Sequence, residues 1–174
     1  MLVTVSGLPG SGTSTVARLV AQRLGIAHVD GGTVFRSMAS EAGLDVRQFS
    51  SVAEADADID VELDARLAAI AREGNVVLES RLAAWIAANE GVSHTSVWID
   101  GDERVRAQRV ARREGIEPAQ ALEANRAREA SERLRYETLY GIDLDDRSVY
   151  DLVIDATNEP ADAVAMSIVA AASK

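Results

Sequence analysis

The sequence predicts an α/β fold built on one sheet of five parallel strands. Two observations support this: short apolar runs alternate along the chain with helical patterns, and no tight hairpin signal separates any two consecutive strands. Strands connected in this way pair in parallel through right-handed crossovers. With 174 residues, of which 47% are hydrophobic, the chain can bury one good core. We therefore predict a single compact domain.

The strands and helices can be placed in order along the chain. The first strand covers 1–6, and further strands are predicted at 26–29, 76–80, 96–100 and 150–154. A helix follows the first strand from Ser14 and ends at Gly25. Later helices are predicted at about 34–42, 59–73, 102–114 and 118–140, and a last one begins at Pro160. The Ser-, Ala- and Asp-rich stretch that begins at Phe49 is assigned no element before residue 59.

The segment after the first strand, GLPGSGTST at 7–15, has the pattern of a phosphate-binding loop with one substitution. Its glycines allow positive φ, so that backbone N–H groups can point at phosphate oxygens at the start of a helix. The pattern GxxxxGK[ST] has a lysine where Thr13 stands, whereas Ser14 keeps the hydroxyl that binds Mg²⁺. A glycine-rich turn can be purely structural, but the order of strand, glycines, hydroxyl and helix favours a phosphate site.

Composition excludes several classes of function. The formal net charge is −10, and Lys174 is the only lysine. We expect no binding to polymeric nucleic acid, although arginines can hold a small phosphorylated ligand. The chain has no cysteine, and the isolated His28 and His94 are expected to be surface or strand-end residues rather than a zinc site. No apolar run is long enough for a membrane span, so a soluble, cytoplasmic protein is expected.

Polar residues follow the predicted strands at the point where each strand ends. They are Gly7 to Ser14 after the first strand, Asp30 after the second, Glu79 and Arg81 after the third, and 155–158 after the fifth. In open parallel sheets, ligands bind outside the carboxyl ends of the strands. The sequence therefore predicts one binding site at this edge of the sheet.

Three charged residues at or after the ends of strands, Glu79, Arg36 and Arg81, each have a functional and a structural interpretation. Buried at a strand end, Glu79 would need a nearby positive charge, which Mg²⁺ beside Ser14 could supply directly or through water. The alternative is a carboxylate exposed to water or paired with Arg81. Arg36 and Arg81 follow different strands and could approach one phosphate from two sides, although either alone could form a surface salt bridge.

Two charged stretches are harder to interpret. The acidic run at 54–62 is predicted to be a solvated face rather than a metal site. The helix at 118–140 carries Arg and Glu at i,i+4 spacing, which is typical of ion pairs on a solvated helix. Spacing alone does not decide between a solvated helix and a functional one.

Four stretches together resemble the archaeal-type cytidylate kinases, within the nucleoside monophosphate (NMP) kinase family. They are GLPGSGTST, HVDGGTVFR, VVLESRLAAW and RAREASERLRYETLYGIDLDDRSVYDLVIDAT. The resemblance covers nearly the whole chain and is more specific than the loop alone. It implies a P-loop three-layer sandwich with helices on both faces of the sheet. It also implies a core at 1–33, 74–107 and 141–174, an NMP-binding insertion at 34–73 and a lid at 108–140.

The resemblance also implies roles for individual residues. ATP would be bound by Gly7, Leu8, Pro9, Gly10, Ser11, Gly12, Thr13, Ser14 and Thr15, with Arg109 and Arg113 of the lid. The acceptor nucleotide would be bound by Asp30, Gly32, Thr33, Arg36 and Arg81. Arg128 and Arg135 are seven residues apart, as are the two arginines of the RDxxDSxR pattern in bacterial cytidylate kinases. In those enzymes the pattern binds the transferring phosphoryl group. Glu129 and Ser131-Glu132 replace parts of that pattern, which puts the base-reading role of its acidic residue in doubt.

The reaction implied is the transfer of phosphate from ATP to CMP, with dCMP as a second acceptor and Mg²⁺ as the cofactor. The acceptor phosphate is already largely dianionic at neutral pH, so no general base is needed. Arginines would supply the charge that the loop lysine usually carries. Two alternatives stay open: a kinase for another acceptor such as AMP, UMP or dephospho-coenzyme A, and a nucleotide-binding protein without catalysis. A monomer is expected.

Overall fold

The computed structural model describes residues 1–173, except for the side chains of Arg47 and Glu54. Five strands form one sheet: β1 Leu2–Gly7, β2 Ala27–Asp30, β3 Val76–Glu79, β4 Thr95–Asp100 and β5 Leu152–Asp155. All neighbouring strands are parallel, in the order β2-β3-β1-β4-β5. The predicted five-stranded parallel α/β fold is confirmed. Because β1 is central, the glycine-rich loop lies in the middle of the carboxyl edge of the sheet.

Eight helices lie within the described residues. They are α1 Thr13–Leu24, α2 Gly31–Glu41, α3 Val46–Ala55, α4 Ala57–Glu73, α5 Ala83–Asn89, α6 Glu103–Glu114, α7 Pro118–Tyr140 and α8 Ala161–Ala172. The second helix begins three residues earlier than predicted, because the Asp30 side chain accepts hydrogen bonds from the backbone N–H groups of Gly32 and Thr33. The division of the chain into core, insertion and lid stays a prediction.

Helix α3 falls in the stretch to which the sequence assigned no element. Its start is fixed by a capping box, in which Asp45 accepts from the Gln48 backbone while the Gln48 side chain binds the Asp45 backbone N–H. Its inner face is small, since it buries Phe49 and Ala53. Phe49 packs against Phe35 of α2 with ring centroids 4.9 Å apart. The many polar residues around this short apolar face explain why hydrophobic periodicity missed the helix.

The sheet has a hydrophobic core on each face. Val3 and Val5 of β1 pack with α1 and α8 on one side. Leu2 of β1 and Leu78 of β3 belong to the core formed with α4 and α5 on the other side. Side chains of a strand alternate between the two faces, so a fully buried strand needs apolar residues on both. The result is the expected three-layer arrangement.

Strand boundaries differ from the predictions by one or two residues. β2 begins and ends one residue later than predicted, and β5 begins two residues later. Tyr150, predicted to open β5, lies before it and packs against Trp98 of β4 and Trp85 of α5, with centroids 5.4 Å away in both cases. An aromatic residue next to a strand has the same apolar signature as one within it, so the pattern could not separate the two cases.

The prediction of a wholly solvated acidic run at 54–62 is wrong at Asp60. This residue is buried and its carboxylate lies 3.4 Å from Nε of Arg135 on α7. In a run of acidic residues, the sequence does not show which one will be covered by a helix that is distant in the chain. No helix within the described residues is long and apolar enough to cross a bilayer.

Candidate active site

The glycine-rich loop joins the end of β1 to the start of α1. Gly10 and Gly12 have φ values of +82° and +97°, which only glycine adopts without strain. A Cβ on Gly10 would also lie 2.3 Å from the carbonyl oxygen of Arg106. Within residues 1–173, the loop amides of Gly10, Gly12, Thr13 and Ser14 have no hydrogen-bond partner. Free N–H groups at a helix N-terminus form an anion-binding site.

This loop forms one wall of a cavity of about 430 Å³, and Arg18, Arg109 and Arg113 line other parts of it. The cavity also reaches Ala156 and Glu159, which follow β5. Arginines and free N–H groups around one open space favour a ligand that carries several negative charges. The cavity joins the segments that follow β1 and β5, whereas Asp30, Glu79 and Arg81 are not among the residues that line it.

Glu79, at the end of β3, lies behind the loop and is buried. Its Oε1 accepts hydrogen bonds from Thr13 Oγ1 at 2.7 Å and from Ser14 Oγ at 2.6 Å. Its Oε2 lies 2.9 Å from Nε2 of His28 on β2. Neither structural alternative for Glu79 is correct, because the carboxylate is neither exposed nor paired with Arg81. A carboxylate beside two hydroxyl groups is a set of oxygen donors that suits Mg²⁺.

The expectation that His28 is an ordinary strand-end residue is wrong, since it is half-buried and bound to Glu79. Parallel pairing of β2 with β3 brings the two side chains together, with Asp30 opposite Glu79 and His28 opposite Val77. This contact depends on strand order, which a single histidine in the sequence does not reveal.

The acceptor-side residues form a separate cluster around the start of α2. Asp30 accepts from the backbone of Gly32 and from the backbone and hydroxyl of Thr33. Arg36 donates to Thr33 Oγ1 at 2.7 Å and to Asp30 at 3.3 Å. Partial burial raises the pKa of Asp30, but the hydrogen bonds from Gly32 and Thr33 and the charge of Arg36 outweigh it and leave the pKa below its usual value. Asp30 therefore stays ionised.

Arg81, which follows β3, connects the loop to helix α7. Its guanidinium donates to the carbonyl oxygen of Gly7 and, at 2.9 Å, to Oε2 of Glu132. Oε1 of the same carboxylate accepts from Arg128 at 2.8 Å. Although burial alone would raise the pKa of Glu132, the charges of Arg81 and Arg128 hold it below the usual value. One buried carboxylate thus joins two of the arginines that the sequence singled out.

Helix α7 is therefore not a solvated helix along its whole length. Asn125, Glu129 and Glu132 are buried, while the predicted i,i+4 pairing is present between Arg128 and Glu132. Arg128 remains exposed, with 61% of its side chain accessible. Arg135, one of the two arginines assigned to the transferring phosphoryl group, pairs with Asp60 of α4.

The sequence places the chain in a known family. A model described as the cytidylate kinase-like family matches residues 2–158. The chain belongs to this family. A protein named cytidylate kinase from Methanocaldococcus jannaschii is 47% identical over 158 residues, covering 90% of this chain and 89% of that one. Another of that name, from Pyrococcus furiosus, is 46% identical over 164 residues and covers 94% of this chain and 84% of its own.

Solved structures support the fold. An uncharacterised protein from Eubacterium ventriosum superposes with a TM-score of 0.78 at 19% identity, covering 100% of this chain and 99% of that one. Shikimate kinase from Aquifex aeolicus gives a TM-score of 0.62 at 19% identity, covering 98% and 95%. At these identities the likeness concerns the fold alone.

In this cytidylate kinase-like chain, the loop, Glu79 and Arg81 lie together, as the sequence predicted. Arg109 also reaches the loop, where it donates to the carbonyl oxygen of Ser11 at 3.3 Å. It donates as well to the carbonyl oxygen of Ala156, after β5, at 2.7 Å. Arg113 lines the cavity and pairs with its neighbour Glu114. The roles of these residues in binding or catalysis stay predictions.

Sequence reasoning missed Arg106 and Glu132. Arg106 is one of several arginines on α6, and only the packing of α7 against α6 shows that it is buried and paired with Glu129. For Glu132, a signal was present. It lies within the stretch that resembles the family and falls four residues after Arg128, the spacing of a helical ion pair.

Proposed function

We propose that this protein transfers the γ-phosphoryl group of ATP to CMP, giving ADP and CDP, with dCMP as a second acceptor and Mg²⁺ as the cofactor. The observation that carries the proposal is the position of Arg81. Its side chain binds the carbonyl of Gly7 in the loop and the carboxylate of Glu132 on α7. An acceptor-binding arginine in that place stands next to the donor phosphates. Membership of the cytidylate kinase-like family and the names of the relatives support CMP as the acceptor.

On the donor side, the free amides of Gly10, Gly12, Thr13 and Ser14 bind the phosphates of ATP. Arg109 and Arg113 line the same cavity and face the nucleotide from α6. The hydroxyl of Ser14 would hold Mg²⁺ directly, and the carboxylate of Glu79 would hold it through water. When bound, the ion neutralises charge on the donor phosphates. Thr13 carries no charge, so arginines provide what a loop lysine would provide.

On the acceptor side, Arg36 and Arg81 bind the phosphate of CMP, while Asp30, Gly32 and Thr33 receive the nucleoside. Both arginines are paired with carboxylates in the structure, Arg36 with Asp30 and Arg81 with Glu132. A phosphate dianion offers more negative charge than a carboxylate and matches the guanidinium fork equally well. The acceptor phosphate therefore competes with these carboxylates for the same donors.

The transfer step needs alignment and charge neutralisation rather than a base. An oxygen of the CMP phosphate forms a bond to the γ-phosphorus as the bond from that phosphorus to the β,γ-bridging oxygen breaks, and ADP leaves with the electron pair. Arg128 and Arg135 of α7 stabilise the negative charge on the transferring group. To bind the phosphoryl oxygens, Arg128 gives up its ion pair with Glu132, and Arg135 gives up its ion pair with Asp60.

A second cavity is a candidate for the base of the acceptor. It has a volume of about 220 Å³, and its wall includes Leu82, Trp85, Asp64 and Tyr140. Leu82 directly follows Arg81, and Asp64 lies one helical turn after Asp60. Its aromatic and apolar walls suit a flat ring, and the Asp64 carboxylate can accept from the exocyclic amine of cytosine. Uracil carries a carbonyl there, so the same carboxylate disfavours UMP.

The proposal is tested with purified protein, ATP and Mg²⁺ against CMP, dCMP, UMP, AMP and dephospho-coenzyme A, with nucleotide products separated by chromatography. CMP is expected to give the highest kcat/KM and dCMP the next. Faster turnover of AMP, UMP or dephospho-coenzyme A would assign another acceptor. ATP binding by calorimetry without CDP formation would mean a non-catalytic nucleotide-binding protein. An Arg81→Met variant purified in the same way controls for kinases carried over from the expression host.

A further inference from the structure

Arg106 lies at the first turn of α6 and is buried, with only 5% of its side chain accessible. Its guanidinium binds three separate segments of the chain. Nε donates to Gly101 O after β4 at 3.0 Å, and one terminal nitrogen donates to Pro9 O in the loop at 3.0 Å and to Glu129 Oε1 on α7 at 2.6 Å. No part of Arg106 is among the residues that line the cavity at the loop. Its contacts with the loop are therefore made from behind.

The contact with Pro9 fixes the direction of a phosphate-binding amide. The peptide bonds of the described chain are all trans, and in a trans peptide the C=O and N–H groups point in opposite directions. With Pro9 O directed at the Arg106 guanidinium, the N–H of Gly10 points away from that group. That N–H has no protein partner within residues 1–173. A carbonyl fixed from behind thus leaves the amide free for an anion.

The same arrangement recurs along the loop. Arg81 binds Gly7 O, and Arg109 binds Gly10 O at 3.5 Å and Ser11 O at 3.3 Å. Arg106 differs from these two because its side chain is buried. Like Arg81, it is paired with a buried carboxylate, that of Glu129. It has no open path to a nucleotide and can act on one only through the loop.

We propose that Arg106, held in place by Glu129, is a positioning residue for the phosphate-binding loop. It fixes the peptide between Pro9 and Gly10 so that the amide is oriented before the donor phosphates arrive, and it links that peptide to α7. Orientation in advance increases affinity, because a flexible loop would lose conformational entropy on binding. The inference rests on the proposed function only in taking ATP as the ligand of the loop.

The test separates this role from a merely structural one by replacing the buried pair with apolar side chains. In Arg106→Met/Glu129→Met, neither charge is left unpaired, so the protein is expected to fold with a thermal midpoint close to that of wild type. Its affinity for ATP, measured by calorimetry, should fall about tenfold or more, since an ionic hydrogen bond to the loop is lost. The affinity for CMP should change less than about twofold, because no acceptor-side residue contacts Arg106.

The chain offers a matched control on the same two helices. Arg126 of α7 pairs with Glu103 of α6 at 2.7 Å, but this pair is exposed and does not touch the loop. Arg126→Met/Glu103→Met should leave the affinity for ATP within about twofold of wild type. The single variant Glu129→Gln keeps the volume of the side chain and should reduce ATP affinity less than the double variant does.

Several outcomes would overturn the inference. They are wild-type ATP affinity in the Arg106→Met/Glu129→Met variant, an equal loss in the control variant, and parallel losses of ATP and CMP affinity. If the double variant fails to fold, Glu129→Gln with unchanged ATP affinity would also contradict it. The proposed function fails in a different way, when wild-type protein binds ATP but makes no CDP, and that result leaves the role of Arg106 intact.

Discussion

Glu132 provides a prediction whose magnitude follows from two contacts. In Glu132→Gln the side chain keeps its volume but loses the charge that holds Arg81 and Arg128. The pair with Arg81 is buried, with side chains 16% and 8% accessible, so its loss should cost about 1.5–3 kcal/mol. The Arg128 side chain is 61% accessible, so that pair is screened by water and adds only about 0–1 kcal/mol. The free energy of unfolding should therefore fall by about 1.5–4 kcal/mol at pH 7.5.

The loss should depend on pH in a defined direction. The folded-state pKa of Glu132 lies below the usual value of 4.5, so its stabilising effect is complete above pH 4.5 and disappears as the pH falls through the folded pKa. Urea unfolding followed by circular dichroism should show the full difference at pH 7.5 and a smaller one below pH 4. Glu103→Gln, which breaks an exposed pair, should lower the free energy of unfolding much less than Glu132→Gln does. A Glu132→Gln protein within 0.5 kcal/mol of wild type at pH 7.5 would refute the reasoning.

Three further predictions concern catalysis and pH. Arg128→Ala and Arg135→Ala should each lower kcat about 10³-fold or more with the fold retained, as for an arginine finger. The exposed Arg126→Ala is the control and should turn over at a near-normal rate. The same near-normal rate in the Arg128 or Arg135 variant would remove that residue from the mechanism. Ser14→Ala should raise the Mg²⁺ concentration needed for half-maximal activity and lower kcat together, and an unchanged Mg²⁺ titration would exclude this hydroxyl as a ligand. Burial, together with nearby acidic charge, raises the pKa of Asp64 to about 6. Asp64→Asn should therefore add about 1–3 kcal/mol to the free energy of unfolding at pH 8 and progressively less as the pH falls from 6 to 4. Equal stabilisation at pH 8 and pH 4 would contradict the assigned cause.

The alternation of apolar strands and helices could be interpreted from the sequence because it follows from local chemistry. Each strand is a short apolar run, and each loop at the carboxyl edge begins where that run stops. The phosphate-binding loop at Gly7 to Thr15 could also be identified from the sequence, since its glycines and its hydroxyl are neighbours in the chain. At α3 the apolar face was too short for its periodicity to be recognised among polar residues. At Tyr150 an aromatic side chain lay next to the strand rather than within it.

The candidate site was predicted in part, and the unpredicted part consists of contacts between distant segments. Sequence reasoning selected Glu79 and Arg81 but not their partners. His28 reaches Glu79 from the neighbouring strand β2, and Glu132 reaches Arg81 from α7. In an arginine-rich, acidic chain many such pairs are chemically equivalent. Only burial distinguishes the few that hold the site from those that are solvated.

The sequence by itself determined the order of the five strands along the chain, the position of the phosphate-binding loop and the family, because each depends on residues close together in the chain or on the whole pattern. The tertiary structure alone decided which arginines bind the loop from behind, as Arg106 does, and which line the cavity, as Arg113 does. The physical reason is that a guanidinium group is several bonds from its backbone. Its partner is selected by the packing of α6 and α7 against the sheet, and the same side chain would otherwise remain in water.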